Sequence, residues 1–136
     1  MEEKIQEKSC GCIIIRDDGK ILLIKQTQGH WGFPKGHVEK NETEIETATR
    51  EVKEETNLDV SIDESKRYTE HYYTNKGRYK EVVIFVAHPK SLDVKKQDEE
   101  ITDTKWCEPS EVINQLTYDS SKNMFKEMAT ENHINL

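Results

Sequence analysis

The stretch from Gly36 to Leu58, GHVEKNETEIETATREVKEETNL, carries the run Arg50-Glu51-Val52-Lys53-Glu54-Glu55 near its end. Ile45, Ala48 and Val52 recur at three and four residues, the period of a helix with one face on a core. Asn41 is placed to cap that helix, with Glu44 at the N3 position of a capping box. On a helix, positions four apart are neighbours. Glu51 and Glu55 therefore stand side by side, and Arg50 pairs with Glu54. An isolated helix resists two adjacent like charges, but a divalent cation between them removes the conflict. Hard oxygen ligands select Mg²⁺ or Mn²⁺, and Mg²⁺ takes one or two carboxylates plus substrate phosphates. A Glu-rich run taken alone reads as a solvated face. The spacing around this one says more.

Gly36, five residues, Glu42, seven residues, Arg50-Glu51, apolar Val52, Lys53, Glu54-Glu55, Thr56, Asn57 and apolar Leu58 follow one another in that order. The pattern resembles the Nudix box, G-x5-E-x7-R-E-U-x-E-E-x-G-U with U apolar. One fixed position departs: Asn57 stands where the box has its last glycine. A helix ends there in a site that favours positive φ, and Asn is the usual substitute for Gly. The resemblance implies an α+β Nudix fold, an α/β/α sandwich around a mixed central sheet. It also implies metal-dependent hydrolysis of a nucleoside diphosphate linked to another group. Glu51, Glu54, Glu55 and the Gly36 carbonyl would hold Mg²⁺ or Mn²⁺. Arg50 would lock Glu54, and Glu42 would brace Arg50. Glu39 and Glu44 read as solvated or capping carboxylates.

The likeness extends beyond the box. His30-Trp31-Gly32-Phe33-Pro34-Lys35-Gly36-His37-Val38-Glu39 is similar to the HW-x-x-PKGHVE stretch of asymmetrical diadenosine tetraphosphate hydrolases. Lys80 precedes a strand-like run as in that family, and Glu100 stands six residues before Trp106, matching a Glu-x5-Trp spacing. Carried over by position, His30, Lys35 and Lys80 would contact the polyphosphate, and Glu100 would serve metal or water. The acidic run Asp98-Glu99-Glu100 is the candidate for the general base. An adenine ring needs an aromatic platform, worth about 1–3 kcal/mol per stacked base. Tyr72, Tyr73, Tyr79 and Tyr118 are available, and Tyr79, next to Lys80, and Tyr118, before the last helix, are the preferred candidates. His37 reads as a loop residue with a structural hydrogen bond.

The chain's 136 residues suit one domain, 1–136. Charged residues make up 35% and the net charge is −7, so polyphosphate binding requires local cations and general nucleic-acid binding is disfavoured, an RNA 5′ end excepted. No apolar run approaches the roughly 18 residues of a membrane span, and MEEKIQEKS lacks the apolar core of a signal peptide. Cys10, Cys12 and Cys107 read as buried thiols of a reducing cytoplasm, with Cys10 and Cys12 on opposite strand faces. The expected partner is a small nucleotide. Competing readings are hydrolysis of nucleoside triphosphates, oxidised nucleotides, 5′-triphosphate RNA or inositol pyrophosphates, and an inactive nucleotide-binding regulatory module.

The remaining segments set a frame. Residues 8–16 and 20–26 read as strands joined by a hairpin turn at Asp17-Asp18-Gly19. Residues 27–35 read as a ligand-contacting loop, 58–62 and 66–74 as two extended pieces, and 78–88 as a deeply buried strand ended by Pro89. A long loop follows over 90–103, then a short strand at 105–107. Helices are expected from Pro109 through Leu116 and over 119–131, the latter with Met124, Phe125 and Met128 inward.

Overall fold

The computed structural model describes residues 4–97 and 99–136. Asp98, part of the acidic run singled out above, lies outside the described residues. The elements are β1 (Glu7–Ile14), β2 (Ile21–Gln26), β3 (Trp31–Gly32), β4 (Lys35–His37), α1 (Glu44–Thr56), β5 (Val60–Tyr73), β6 (Tyr79–Pro89), β7 (Ile101–Cys107), α2 (Pro109–Gln115) and α3 (Asp119–Glu131).

Two sheets form the middle layer: a four-stranded one in the order β4-β1-β6-β5 and a three-stranded one in the order β3-β2-β7. The first is mixed, because β1 runs parallel to β6 while the other pairings are antiparallel. The apolar runs of β1 and β6 are buried on both faces, as expected of strands covered by helices on each side. On one side Ala48 and Val52 of α1 pack with Cys10, Cys12, Val83 and Phe85. On the other, Val112 of α2 and Met124, Phe125 and Met128 of α3 pack with Ile13, Val82, Ile84 and Val86. This is the α/β/α arrangement expected from the sequence, with the sheet layer divided in two.

The structure departs from the sequence-based expectations at several local points. The turn at Asp17-Asp18-Gly19 closes, with Gly19 at φ 87° and a bridge between Ile15 and Ile21. The strands do not stay paired beyond it: β1 joins β6 and β4, whereas β2 joins β3 and β7. Cys10 and Cys12 share one face, as the two-residue period of a strand requires. The two extended pieces over 58–74 are one strand, β5, with a bulge where Asp63 accepts hydrogen bonds from the Ser65 amide and hydroxyl. The loop over 27–35 contains β3 and the start of β4, and the loop after β6 ends at residue 100 rather than 103.

Helix α1 starts two residues later than the first capping pair suggests. Thr43 is the N-cap, accepting from the Glu46 amide at 3.1 Å while Glu46 accepts from the Thr43 amide at 3.0 Å. Asn41 has φ 70°, a left-handed conformation that an N-cap does not use. Glu44 is instead bound by Arg67 of β5 at 2.8 and 2.9 Å and by Lys8 of β1, tying the helix to the sheet. At the other end Asn57 sits at φ 69° and its amide bonds the Lys53 carbonyl at 2.9 Å. The asparagine thus takes the conformation for which the glycine would be used.

Candidate active site

Because α1 lies beside the edge strand β4, its acidic face meets the backbone of that strand. Pairing of Cys10 with Gly36 and Gly11 with Lys35 fixes which way each β4 residue points. Gly36 faces α1, and a Cβ there would collide with the Glu51 carboxylate, so only glycine admits so close an approach. Lys35 and His37, one residue to either side, face the opposite way.

Arg50 organises the carboxylates. Its guanidinium grips Glu42 through Nε at 2.7 Å and Nη2 at 2.9 Å. The same Nη2 donates to the His37 carbonyl at 3.0 Å, and Nη1 donates to Glu51 at 2.8 Å and Glu54 at 3.2 Å. Glu42 also accepts from the Glu39 amide and the Thr47 hydroxyl, each at 2.9 Å. These donors, Arg50 first, hold the Glu42 carboxyl down at about 2. Such a network fixes a loop residue, a backbone carbonyl and two helical carboxylates in one frame.

Glu55 has a different environment. It is buried, and its Oε1 accepts the Lys35 amide at 2.8 Å. Burial pushes its carboxyl up to about 8, against the pull of that amide and with a further push from Glu51. Burial also raises Glu51, which Arg50 partly offsets while Glu54 and Glu100 add to the rise. Desolvated carboxylates crowded together favour a cation that restores the charged forms. The oxygen-only donor set and the bare backbone at Gly36 fit a hard divalent ion. Among the described residues, no three acidic, His or Cys side chains already form a closed metal cluster.

A pocket of about 330 Å³ is lined by Ser9, Gln26, Lys35, Gly36, His37, Glu39, Glu51, Glu54, Glu55, Lys80 and Glu100. Seven of the residues singled out in the sequence, Lys35, Gly36, Glu51, Glu54, Glu55, Lys80 and Glu100, thus come together, with Arg50 behind them. Glu100 reaches the site because β7 pairs with β2, placing its neighbour Ile101 opposite Gln26. Lys80 is buried, and burial together with Lys35 depresses its ammonium to about 8. Another hollow, of about 380 Å³ beside Asp17 and Lys90, has Arg16 neutralised by Asp18 on its wall and gathers no comparable set of groups.

His30, Tyr118 and Tyr79 do not line the pocket. The His30 and Tyr118 rings lie 5.4 Å apart at 50°, and Tyr118 is 54% exposed, an open aromatic surface. Tyr79 is on the other face of β6 from Lys80, because neighbours in a strand point opposite ways. Its ring stacks on His71 and tilts against Tyr73. Tyr72, paired directly with Lys80, is the tyrosine on the pocket side. Ser9, Gln26, His37 and Glu39 complete the lining. Of these, His37 makes the structural bond expected from the sequence, to Glu7 at 3.2 Å.

The family model of the NUDIX domain matches residues 6–128. The chain belongs to the NUDIX domain family. It is 30% identical to Nudix hydrolase 5 of Arabidopsis thaliana over 88% of its own length and 42% of the plant protein, so it spans about two fifths of that relative. It is 35% identical to the asymmetrical bis(5′-nucleosyl)-tetraphosphatase of Caenorhabditis elegans, over 82% of this chain and 86% of that one. A crystal structure of a C. elegans Ap4A hydrolase binary complex superposes with a TM-score of 0.85 at 29% identity, covering 93% of this chain and 98% of the other. The α+β Nudix fold is thereby established for this NUDIX chain. Among the described residues no helix is long and apolar enough to cross a membrane.

Proposed function

We propose that the chain hydrolyses a phosphoanhydride bond of a nucleoside polyphosphate, with diadenosine tetraphosphate as substrate and ATP plus AMP as products. The observation that carries this reading is one pocket with carboxylates on one wall and Lys35 and Lys80 on another. A polyphosphate chain is long and uniformly anionic. It requires cations along its length and carboxylates only where a metal intervenes. The relatives named as asymmetrical tetraphosphatases support the choice of substrate.

Glu51, Glu55 and the Gly36 carbonyl would hold Mg²⁺ or Mn²⁺, with Glu54 beside them under the control of Arg50. Such an ion, when bound, neutralises phosphate charge and acidifies water. The chain's own residues do the rest. Lys35 and Lys80 draw the phosphates along the pocket. Glu100, on the β7 side, takes the proton of the attacking water. His30 and Tyr118 form the platform for an adenine ring, with Tyr72 inside the same face. Tyr79 is not part of that platform. The reducing cytoplasm fits three free, buried cysteines, with burial raising Cys10 to about 11 and Cys12 to about 12.

The test is turnover of diadenosine tetraphosphate with Mg²⁺ and identification of products, beside nucleoside triphosphates, oxidised nucleotides, 5′-triphosphate RNA and inositol pyrophosphates. Equal amounts of ATP and AMP are expected. Preference for another member of the panel would replace the substrate assignment, and binding without turnover would favour a regulatory module. Glu54→Gln and Glu55→Gln should each lower the rate by roughly a hundredfold or more while keeping the fold. An unchanged rate in both would remove the metal assignment.

A further inference from the structure

Ser9 belongs to none of the motifs, yet it lines the pocket. It lies on β1 between two partners, opposite His37 of β4 on one side and Val82 of β6 on the other. The neighbouring pairs on the same face are Gly11 with Lys35 and Glu7 with Lys80. The serine side chain therefore sits between the two strands that bring in the two lysines. It is 1% exposed, and its Oγ has no hydrogen-bond partner among the described residues. The pairing continues along the same face of β1 to Ile13, which is apolar and in the core. The hydroxyl thus appears where the strand passes from core to pocket.

A buried hydroxyl without a partner is a cost that folds avoid, and an alanine would remove it. A phosphate entering between Lys35 and Lys80 supplies the missing acceptor, since its oxygens only accept. The neutrality of the group suits the place. A third cation would add to the repulsion between two ammoniums that already face the same space, a repulsion that Glu7 and Glu70 on that face offset only in part. A hydroxyl instead adds a directed bond without adding charge.

We propose that Ser9 is a substrate-binding residue whose hydroxyl donates to a non-bridging oxygen of the phosphate held between Lys35 and Lys80. The proposal rests on reading the pocket as a polyphosphate site and adds to it a contact that discriminates among phosphate positions. It concerns the lysine side of the pocket and is independent of any ion on the acidic helix.

Ser9→Ala and Ser9→Cys test it, each through affinity for inorganic tripolyphosphate without divalent metal and through the melting temperature. The alanine variant should bind about tenfold more weakly and melt at the same temperature as the unmodified protein or higher. Cysteine keeps the volume but donates weakly, so its affinity should fall between the two. Unchanged affinity in either variant would overturn the proposal. So would a lower melting temperature in the alanine variant, which would mean that the hydroxyl serves the fold. Turnover of diadenosine tetraphosphate is read separately: KM should rise about tenfold in Ser9→Ala with kcat little changed. A protein that binds tripolyphosphate through Ser9 but ignores the dinucleotide would fail the functional reading and leave the Ser9 contact standing.

Discussion

The Arg50 guanidinium and the Glu42 carboxylate meet side-on, two parallel N–H···O bonds at 2.7 and 2.9 Å joining the helix to the loop that precedes it. Neither residue lines the pocket. Together they decide where Glu51, Glu54 and the His37 carbonyl stand.

Arg50→Lys keeps the charge but not the planar fork, and lysine cannot reach Glu42, Glu51, Glu54 and the carbonyl at once. On the proposed metal site the rate should fall about 10- to 100-fold, the usual loss when a group that orients metal ligands is removed. Steady-state kinetics with a Mg²⁺ titration would check it: kcat should drop and the Mg²⁺ requirement should rise.

Glu42 makes the acid limb of stability steeper. Its carboxyl is lowered from 4.5 to about 2 in the folded chain. The folded state then binds fewer protons than the unfolded one between those values. The contribution is complete above about 4.5 and disappears as pH falls toward 2. Glu42→Gln should therefore be less stable than the unmodified protein at pH 7, with the gap closing on acidification. Urea unfolding at pH 7, 5, 4 and 3 measures this.

Lys80 should give an alkaline limb to substrate affinity. Burial, then Lys35, brings its ammonium down to about 8. As pH rises through 8 the positive form is lost in the free protein, so KM should rise between pH 7 and 9. Lys80→Arg stays charged there and should flatten that limb, whereas Lys80→Ala should raise KM about tenfold at pH 7. A pH series of KM for the three proteins decides the matter.

Gly36→Ala places a methyl group against the Glu51 carboxylate. The atoms it meets are the far end of a flexible side chain, so the carboxylate gives way at little cost in stability, but a shift of about 1 Å near the reacting atoms can cost a hundredfold in rate. A folded variant with activity reduced about a hundredfold is expected, read by circular dichroism and turnover together. Full activity would remove the close approach of β4 to α1 from the site.

The sequence showed the acidic helix, the burial of β6 and the extent of α3 because each is a local pattern. Two capping pairs overlap in the sequence, Asn41 with Glu44 and Thr43 with Glu46, and the local pattern favours the wrong one. Arg67 and Lys8, remote in sequence, engage Glu44 and leave the second pair to cap the helix. Tyr79 neighbours Lys80 in the chain, but alternation along β6 turns it to the other face, and it is the register of β5 against β6 that sets Tyr72 on the same face as Lys80. Ser9 carried no local signal. It becomes a pocket residue only when β4 and β6 flank β1, a pairing that no short stretch of sequence encodes.

The three residues of β4 sort opposite charges by alternation alone: Gly36 toward the carboxylates, Lys35 away from them. A slip of one position along β1 would exchange these directions, driving a lysine side chain into the acid cluster and turning the glycine to the opposite face. Point changes around Pro34 should therefore produce graded losses. Inserting or deleting a single residue between Phe33 and Val38 should abolish both halves of the site at once, even in a protein that still folds.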